Sequence, residues 1–150
     1  MKCKICGKRA VIKLRQHNLA LCEEHFIERF RREVERTIRK YGMFDRGQSV
    51  LVAVSGGKDS LSLLHVLKSL DYEVTGFFID LGIEGISEKA RAKVEELASR
   101  LDVELVILSL KEKYGESLPE IAKRRPRHRI CSLCGMIKRY LMNKTAYDLG

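Results

Sequence analysis

A chain of 150 residues, 45% apolar and 33% charged, has room for one domain and a small appendage. No apolar run exceeds about half a dozen residues, which excludes a membrane-spanning helix, and Met-Lys-Cys-Lys-Ile-Cys lacks the apolar segment of a signal peptide. The expectation is a cytoplasmic protein whose five cysteines are metal ligands or reactive thiols rather than a disulfide framework. Two Gln and two Asn among many Lys, Arg and Glu lean towards a thermophilic source. The net charge of +9 is unevenly placed: residues 1–49 hold 13 basic and 6 acidic groups, residues 50–110 hold 6 and 10, and residues 111–150 hold 10 and 4. Two basic flanks around an acidic middle suit a polyanion such as RNA.

The first module, residues 1–28, is Cys3-x-x-Cys6, fifteen residues, then Cys22-x-x-His25. Two chelating pairs at that separation suit one tetrahedral zinc with no open position, hence a structural site. A short hairpin turning at residues 15–18 is predicted between the pairs. So few residues cannot bury a sufficient core, and the metal supplies the missing stability.

Residues 29–48 form an amphipathic linker helix and turn. The helix itself is predicted from Glu23 to Tyr41, with Phe26, Phe30, Val34 and Ile38 on one face and Ile27 and Tyr41 alongside. Glu28–Arg32 and Glu35–Arg39 make i,i+4 pairs, a count that does not assign Arg29, Arg31, Arg36 and Lys40, and Gly42 stops the helix.

Residues 49–150 alternate strand and helix. Ser49-Val50-Leu51-Val52-Ala53-Val54 reads as a strand buried on both faces of a parallel sheet. Ser55-Gly56-Gly57-Lys58-Asp59-Ser60 follows, then a helix carrying Leu61, Leu64 and Leu67. Glycines that bring bare N–H groups to a ligand, a helix N-terminus, a lysine and two hydroxyls make an anion site. The G-x-x-x-x-G-K-[ST] spacing is absent, and Ser-Gly-Gly-Lys-Asp-Ser instead resembles the signature of the PP-loop ATP pyrophosphatases. The second strand, Val74–Asp80, delivers Ile79 and Asp80 to the ligand crevice beyond the strand ends. Ser87 caps a helix with Ala90, Val94, Leu97 and Leu101 in one stripe, and residues 103–108 are a third parallel strand.

Beyond Ser109 the pattern breaks into a short helix near residues 118–123 and the run Arg124-Arg125-Pro126-Arg127-His128-Arg129. Pro126 denies the run a continuous helix, so Arg124, Arg125, Arg127 and Arg129 are expected to splay from a loop towards an RNA backbone. Cys131-Ser-Leu-Cys134-Gly-Met-Ile-Lys138-Arg139 opens the last helix.

In order, C-x-x-C…C-x-x-H, S-G-G-K-D-S and C-S-L-C-G-x-x-K-R are together similar to the TtcA/TtuA family of tRNA 2-thiolation enzymes, and most to its TtuA-like 2-thiouridine synthetase branch. The resemblance covers essentially the whole chain. It implies an α/β, parallel-sheet PP-loop domain of the adenine nucleotide alpha hydrolase-like type, incomplete at the C-terminus and preceded by the zinc module. It implies an ATP-dependent tRNA sulfurtransferase that adenylates the C2 carbonyl oxygen of a tRNA pyrimidine, most often uridine, and replaces it with sulfur. Ala53 and Ile79 would contact the adenosine through backbone, Ser55, Gly56, Gly57, Lys58 and Ser60 would hold the phosphates, Val54 and Asp80 would also belong to the ATP site, and Asp59 would act as catalytic or Mg²⁺-positioning acid. Cys131 and Cys134 would ligate a [4Fe-4S] cluster, and Lys138 would be a catalytic cation. A ubiquitin-like sulfur carrier, tRNA and a second copy of the chain are the implied partners. The family's G-H-[ND]-x-D-D motif, third cluster cysteine and C-terminal zinc module are missing here, so the chain is expected to be the N-terminal half of a longer enzyme, or a half that needs a partner chain. The alternatives are another PP-loop adenylating enzyme, amide-forming or a lysidine synthetase, and a non-catalytic adaptor for RNA or a sulfur carrier.

Overall fold

The computed structural model describes residues 1–125 and 129–150. Arg127 lies outside the described residues. The chain divides into two compact units, Met1–Asp45 and Arg46–Gly150.

In the first unit, β1 (Ile12–Leu14) pairs antiparallel with β2 (Leu19–Leu21), placing Ile12 opposite Leu21. A 3-10 turn at Arg15–His17 and a left-handed Asn18 join them, as the turn residues led one to expect. Helix α1 (Glu23–Tyr41) ends at Gly42, whose φ of 54° lets its N–H reach the Arg39 and Ile38 carbonyls. Glu28–Arg32 and Glu35–Arg39 pair at 3.6 and 2.9 Å. Arg29 and Arg36 are not unpaired: both reach Glu33, at 3.8 and 2.5 Å, because i+4 and i+3 neighbours share a helix face. The Phe26 and Phe30 rings stack with centroids 6.4 Å apart. Of the anticipated apolar face Ile38 is buried, whereas Ile27, Phe30 and Tyr41 are exposed.

The second unit is a three-stranded parallel sheet in the order β3 (Val50–Ala53), β4 (Val74–Asp80), β5 (Glu104–Ser109). Val52 lies opposite Gly76, and Phe77 opposite Val106. Helices α2 (Lys58–Ser69) and α3 (Ser87–Leu101) cover the face where Gly76 meets Leu64. The other face builds a core of Phe77, Leu108, Leu110, Leu118, Leu133 and Leu141, shared with α4 (Leu110–Tyr114), α5 (Leu118–Arg124) and α6 (Ile130–Leu149). This is the parallel α/β architecture that the alternation of elements foretold.

Three details differ from the sequence reading. The strand buried on both faces is β4, with Gly76, Phe77 and Phe78 all buried. In β3 only Val52 is, because β3 has a neighbour on one side alone among the described residues. Ser87 is the first helical residue of α3 rather than its cap, Ile86 holding that position; the Ser87 hydroxyl instead accepts from the Ile83 N–H at 3.0 Å and closes the preceding loop. Helix α4 was unforeseen; five residues are too few to show a period, and what starts it is the Ser109 hydroxyl accepting from the Glu112 N–H. Among the described residues no helix is long and apolar enough to cross a membrane.

Candidate functional site

The glycine loop sits at the C-terminal edge of β3. Val54 continues the sheet by donating to the Phe77 carbonyl at 2.8 Å, after which the chain leaves the sheet at Ser55. Gly56 takes φ +79°, and a Cβ there would lie 2.9 Å from both the Cα and the carbonyl oxygen of Ala90 in α3. The residue must therefore be glycine for two separate reasons, its left-handed backbone and the helix packed against it. Gly57 is different. It caps α2 with φ −81° and ψ 154°, and its nearest neighbour would be the Ser55 hydroxyl at 3.5 Å. Nothing among the described residues requires Gly57 to lack a side chain.

Ser60 holds the loop's shape. Its hydroxyl donates to the Gly57 carbonyl at 3.0 Å and accepts from the Ser55 N–H at 3.1 Å, with the Ser55 hydroxyl 3.2 Å away. Lys58 and Asp59 stand in solvent and pair with each other at 2.6 Å, and this hydrogen bond raises the Lys58 pKa. The unpaired N–H groups of the first turn of α2 complete the positive end of the loop.

Beside the loop a cavity of ≈ 290 Å³ opens between the strand ends, α3 and α6. Ala53, Val54, Ser55 and Ile79 line it, as does Lys138, so five of the residues singled out in three separate stretches of sequence meet at one place. Phe77, Phe78, Leu81, Ile83, Ile86 and Met142 make the wall apolar. Arg139 also lines it; the sequence reading named it in the K-R motif without giving it a role. Asp80 does not line the cavity. Its carboxylate accepts from the Gly82 N–H at 2.8 Å and shapes the turn after β4, where Gly82 packs against Ser117.

The metal centre belongs to the first unit. Cys3, Cys6, Cys22 and His25 present ligand atoms all within 4.8 Å of one another. Cys3 Sγ to His25 Nδ1 is 3.6 Å, Cys22 Sγ to His25 Nδ1 is 3.2 Å, and Cys6 Sγ to Cys22 Sγ is 3.7 Å. Metal–sulfur and metal–nitrogen bonds of the zinc type imply tetrahedral edges of roughly 3.5–3.8 Å; two of the three distances fall there and the third is only slightly short. The cluster fits a tetrahedral ion. Cys22 caps α1 and His25 lies in its first turn, while Cys3 and Cys6 lie on a tight turn closed by Gly7 at φ 75°, whose N–H donates to the Cys3 carbonyl. Burial pushes the Cys3 thiol up, but backbone hydrogen bonds at Cys6, Cys22 and Ile5 outweigh it and bring its pKa down to about 6. Cys6 is raised: its bond to the Lys8 backbone lowers it, and this is overcome by burial and by the neighbouring thiols of Cys3 and Cys22.

Cys131 and Cys134 lie in the first two turns of α6, exposed and half-buried respectively, and both are free thiols. Among the described residues no third Cys, His, Asp or Glu joins them in a metal-capable group. Two thiols do not hold a four-iron cluster, and these residues by themselves do not fit one. Of the arginine run, Arg124 ends α5 and is ion-paired with Glu116, while Arg125 and Arg129 flank the undescribed residues and are exposed.

A parallel α/β domain with a glycine turn at its strand ends, opening on an apolar cavity with cations on its far wall, is thus the class of protein that residues 46–150 define. The chain belongs to the PP-loop family, whose domain model matches residues 26–142. Residues 2–27 match the N-terminal LIM domain of the 2-thiouridine synthetase TtuA. The tRNA-5-methyluridine(54) 2-sulfurtransferases of Thermotoga maritima and Pyrococcus horikoshii are 49% and 45% identical to it over all of this chain and over 49% and 47% of their own. The U34-tRNA thiolase NcsA from Methanococcus maripaludis, solved with its [4Fe-4S] cluster, superposes with a TM-score of 0.85 at 26% identity, over 99% of this chain and 50% of that one. An NH3-dependent NAD synthetase from Campylobacter jejuni shares the fold, with a TM-score of 0.57 at 16% identity over 83% of this chain and 52% of that one. The chain spans about half the length of the sulfurtransferases it matches.

Proposed function

We propose that this chain supplies the ATP-binding part of an ATP-dependent tRNA 2-thiolation enzyme. The observation that carries the reading is the convergence of the loop residue Ser55 and the helix residue Lys138 on one cavity at the ends of the strands. In this reading the glycine loop grips phosphate beside a pocket with apolar walls and a cation, at the small end of ligand cavities. The pocket has room for a base and sugar, with the phosphates extending over Gly57 and the N-terminus of α2. The relatives named for tRNA 2-thiolation over the full length of this chain support the substrate class.

The reaction follows from the chemistry of a C2 carbonyl. Its oxygen is a poor leaving group until it attacks the α-phosphorus of ATP and expels pyrophosphate. Sulfur at the sulfide level then adds at C2, and AMP departs with the original oxygen. In this scheme Lys58 and the loop N–H groups hold the phosphates. Asp59 would act as a catalytic or Mg²⁺-positioning acid, and Lys138 offsets negative charge developing at the transferred group. Cys131 and Cys134 would be two of a cluster's ligands. The N-terminal four-ligand site holds zinc and is structural, since all four positions are protein donors. A thiocarboxylate-bearing carrier protein as sulfur source and a homodimer are the further partners of this reading.

Isothermal titration with ATP and Mg²⁺ tests the first requirement. Lys58→Ala should weaken ATP by about 1.5–3 kcal/mol, the range for a charge-assisted hydrogen bond, without lowering thermal stability, because the side chain is exposed. A chain that binds no ATP, or whose ATP affinity ignores Lys58, would remove the reading.

A further inference from the structure

We propose that Arg139 is a second phosphate-binding cation of the nucleotide cavity, and that Gly135 is a glycine in order to make room for it. The inference rests on the nucleotide reading above and assigns one more residue to that site.

Lys138 and Arg139 are consecutive on α6, yet both line the same cavity. Neighbours on a helix diverge by about 100°, so both reach one space only if a long side chain folds back along the helix. Arg139 does this. Its guanidinium lies over Gly135, four residues earlier, with Nη1 3.3 Å and Cζ 3.8 Å from where a Cβ on Gly135 would stand. No other atom comes within the first three contacts of that position; all three belong to Arg139.

A glycine inside a helix is less stable than alanine there. Gly135 has no left-handed backbone that would require it. What its bare Cα permits is the resting place of the Arg139 guanidinium. Among the described residues neither Lys138 nor Arg139 has a carboxylate partner, although at least ten other lysines and arginines do. Two adjacent cations without a carboxylate partner in the lining of an otherwise apolar cavity call for an anion. A guanidinium offers a planar fork that matches two phosphate oxygens, which a lysine does not. With the phosphate chain passing Ser55, Arg139 lines the same cavity and is a group that can grip it.

The test compares ATP and adenosine binding to the full chain and to Arg139→Ala, Arg139→Lys, Gly135→Ala and Lys58→Ala, with melting temperature measured on each. Arg139→Ala should weaken ATP by roughly tenfold or more and leave adenosine unchanged, with Arg139→Lys recovering part of the loss. Gly135→Ala should weaken ATP by a smaller factor while melting at the same temperature or higher, which a merely structural glycine would not do. If ATP affinity responds to Lys58→Ala but not to Arg139→Ala, the Arg139 assignment is overturned and the nucleotide reading stands. Equal losses of ATP and adenosine, or a loss confined to tRNA binding, overturn it as well. If the unaltered chain binds no ATP, both fall together.

Discussion

Gly56 rests directly on the backbone of Ala90, so closely that a single methyl group on it would stand 2.9 Å from two Ala90 backbone atoms. The glycine loop and helix α3 are therefore fitted to each other, and the loop's conformation depends on a helix that begins thirty residues later in sequence.

The two loop glycines should respond oppositely to alanine. Gly56→Ala combines a left-handed backbone cost of about 1–2 kcal/mol with overpacking of about 1–3 kcal/mol, since the obstacle is backbone and cannot swing away. It should lower unfolding free energy by roughly 2–5 kcal/mol in urea titration. Gly57→Ala, at φ −81°, should leave the midpoint within about 0.5 kcal/mol and show its damage in ATP affinity instead. Equal destabilisation by both would contradict the division of labour.

The metal centre has a predictable pH dependence. The Cys3 thiol falls from 9.0 to about 6 in the fold. Between those values the folded module binds fewer protons than the unfolded one. Its contribution to stability is thus complete above the unfolded value and is lost as pH falls through about 6. A zinc ion bound there would meet Cys3 as a thiolate above that point and would have to displace a proton below it. Apparent zinc affinity should therefore steepen by about one further decade per pH unit below pH ~6, measured by competition with a chelator from pH 5 to 8. Cys22→Ser should release the metal and unfold residues 1–28 while the circular dichroism of the sheet persists.

Neutralising Arg124, Arg125, Arg127 and Arg129 together should flatten the dependence of log K for tRNA on log salt, each phosphate contact contributing about one unit of slope. Arg124 should contribute least, because Glu116 already pairs with it. An unchanged slope in filter-binding across salt concentrations would return the run to an ordinary solvated surface.

Three cysteines stand in the N-terminal site, which leaves Cys131 and Cys134 with no third donor among the described residues. Anaerobic iron and sulfide reconstitution of the 150-residue chain alone should give no intact four-iron cluster. Close to four irons per monomer, lost in Cys134→Ala with no other chain present, would refute the ligand count.

The metal site was legible in the sequence because chelation imposes local spacing: two pairs, each three residues apart, can be recognised before any fold is known. The glycine loop was legible for the same reason, being a strand, a turn and a helix start in unbroken order. Both also carry their physical demand within a few residues, as a left-handed glycine or a helix cap does. The charge pairs on α1 were half legible, since i,i+4 counting found Glu28–Arg32 and Glu35–Arg39 but missed that Glu33 serves two arginines.

What the sequence could not determine are relationships made by packing. That β4 rather than β3 is the strand buried on both faces depends on which strands lie side by side. That Asp80 shapes a turn instead of facing the cavity depends on where one carboxylate finds an N–H. Ser55 and Lys138 are 83 residues apart, and the α6 helix reaches the loop only because Leu133 and Leu141 seat it on the Phe77 face of the sheet. Residue types name the available chemistry at short range, whereas the site itself is closed by apolar contacts between distant segments, which no local pattern records.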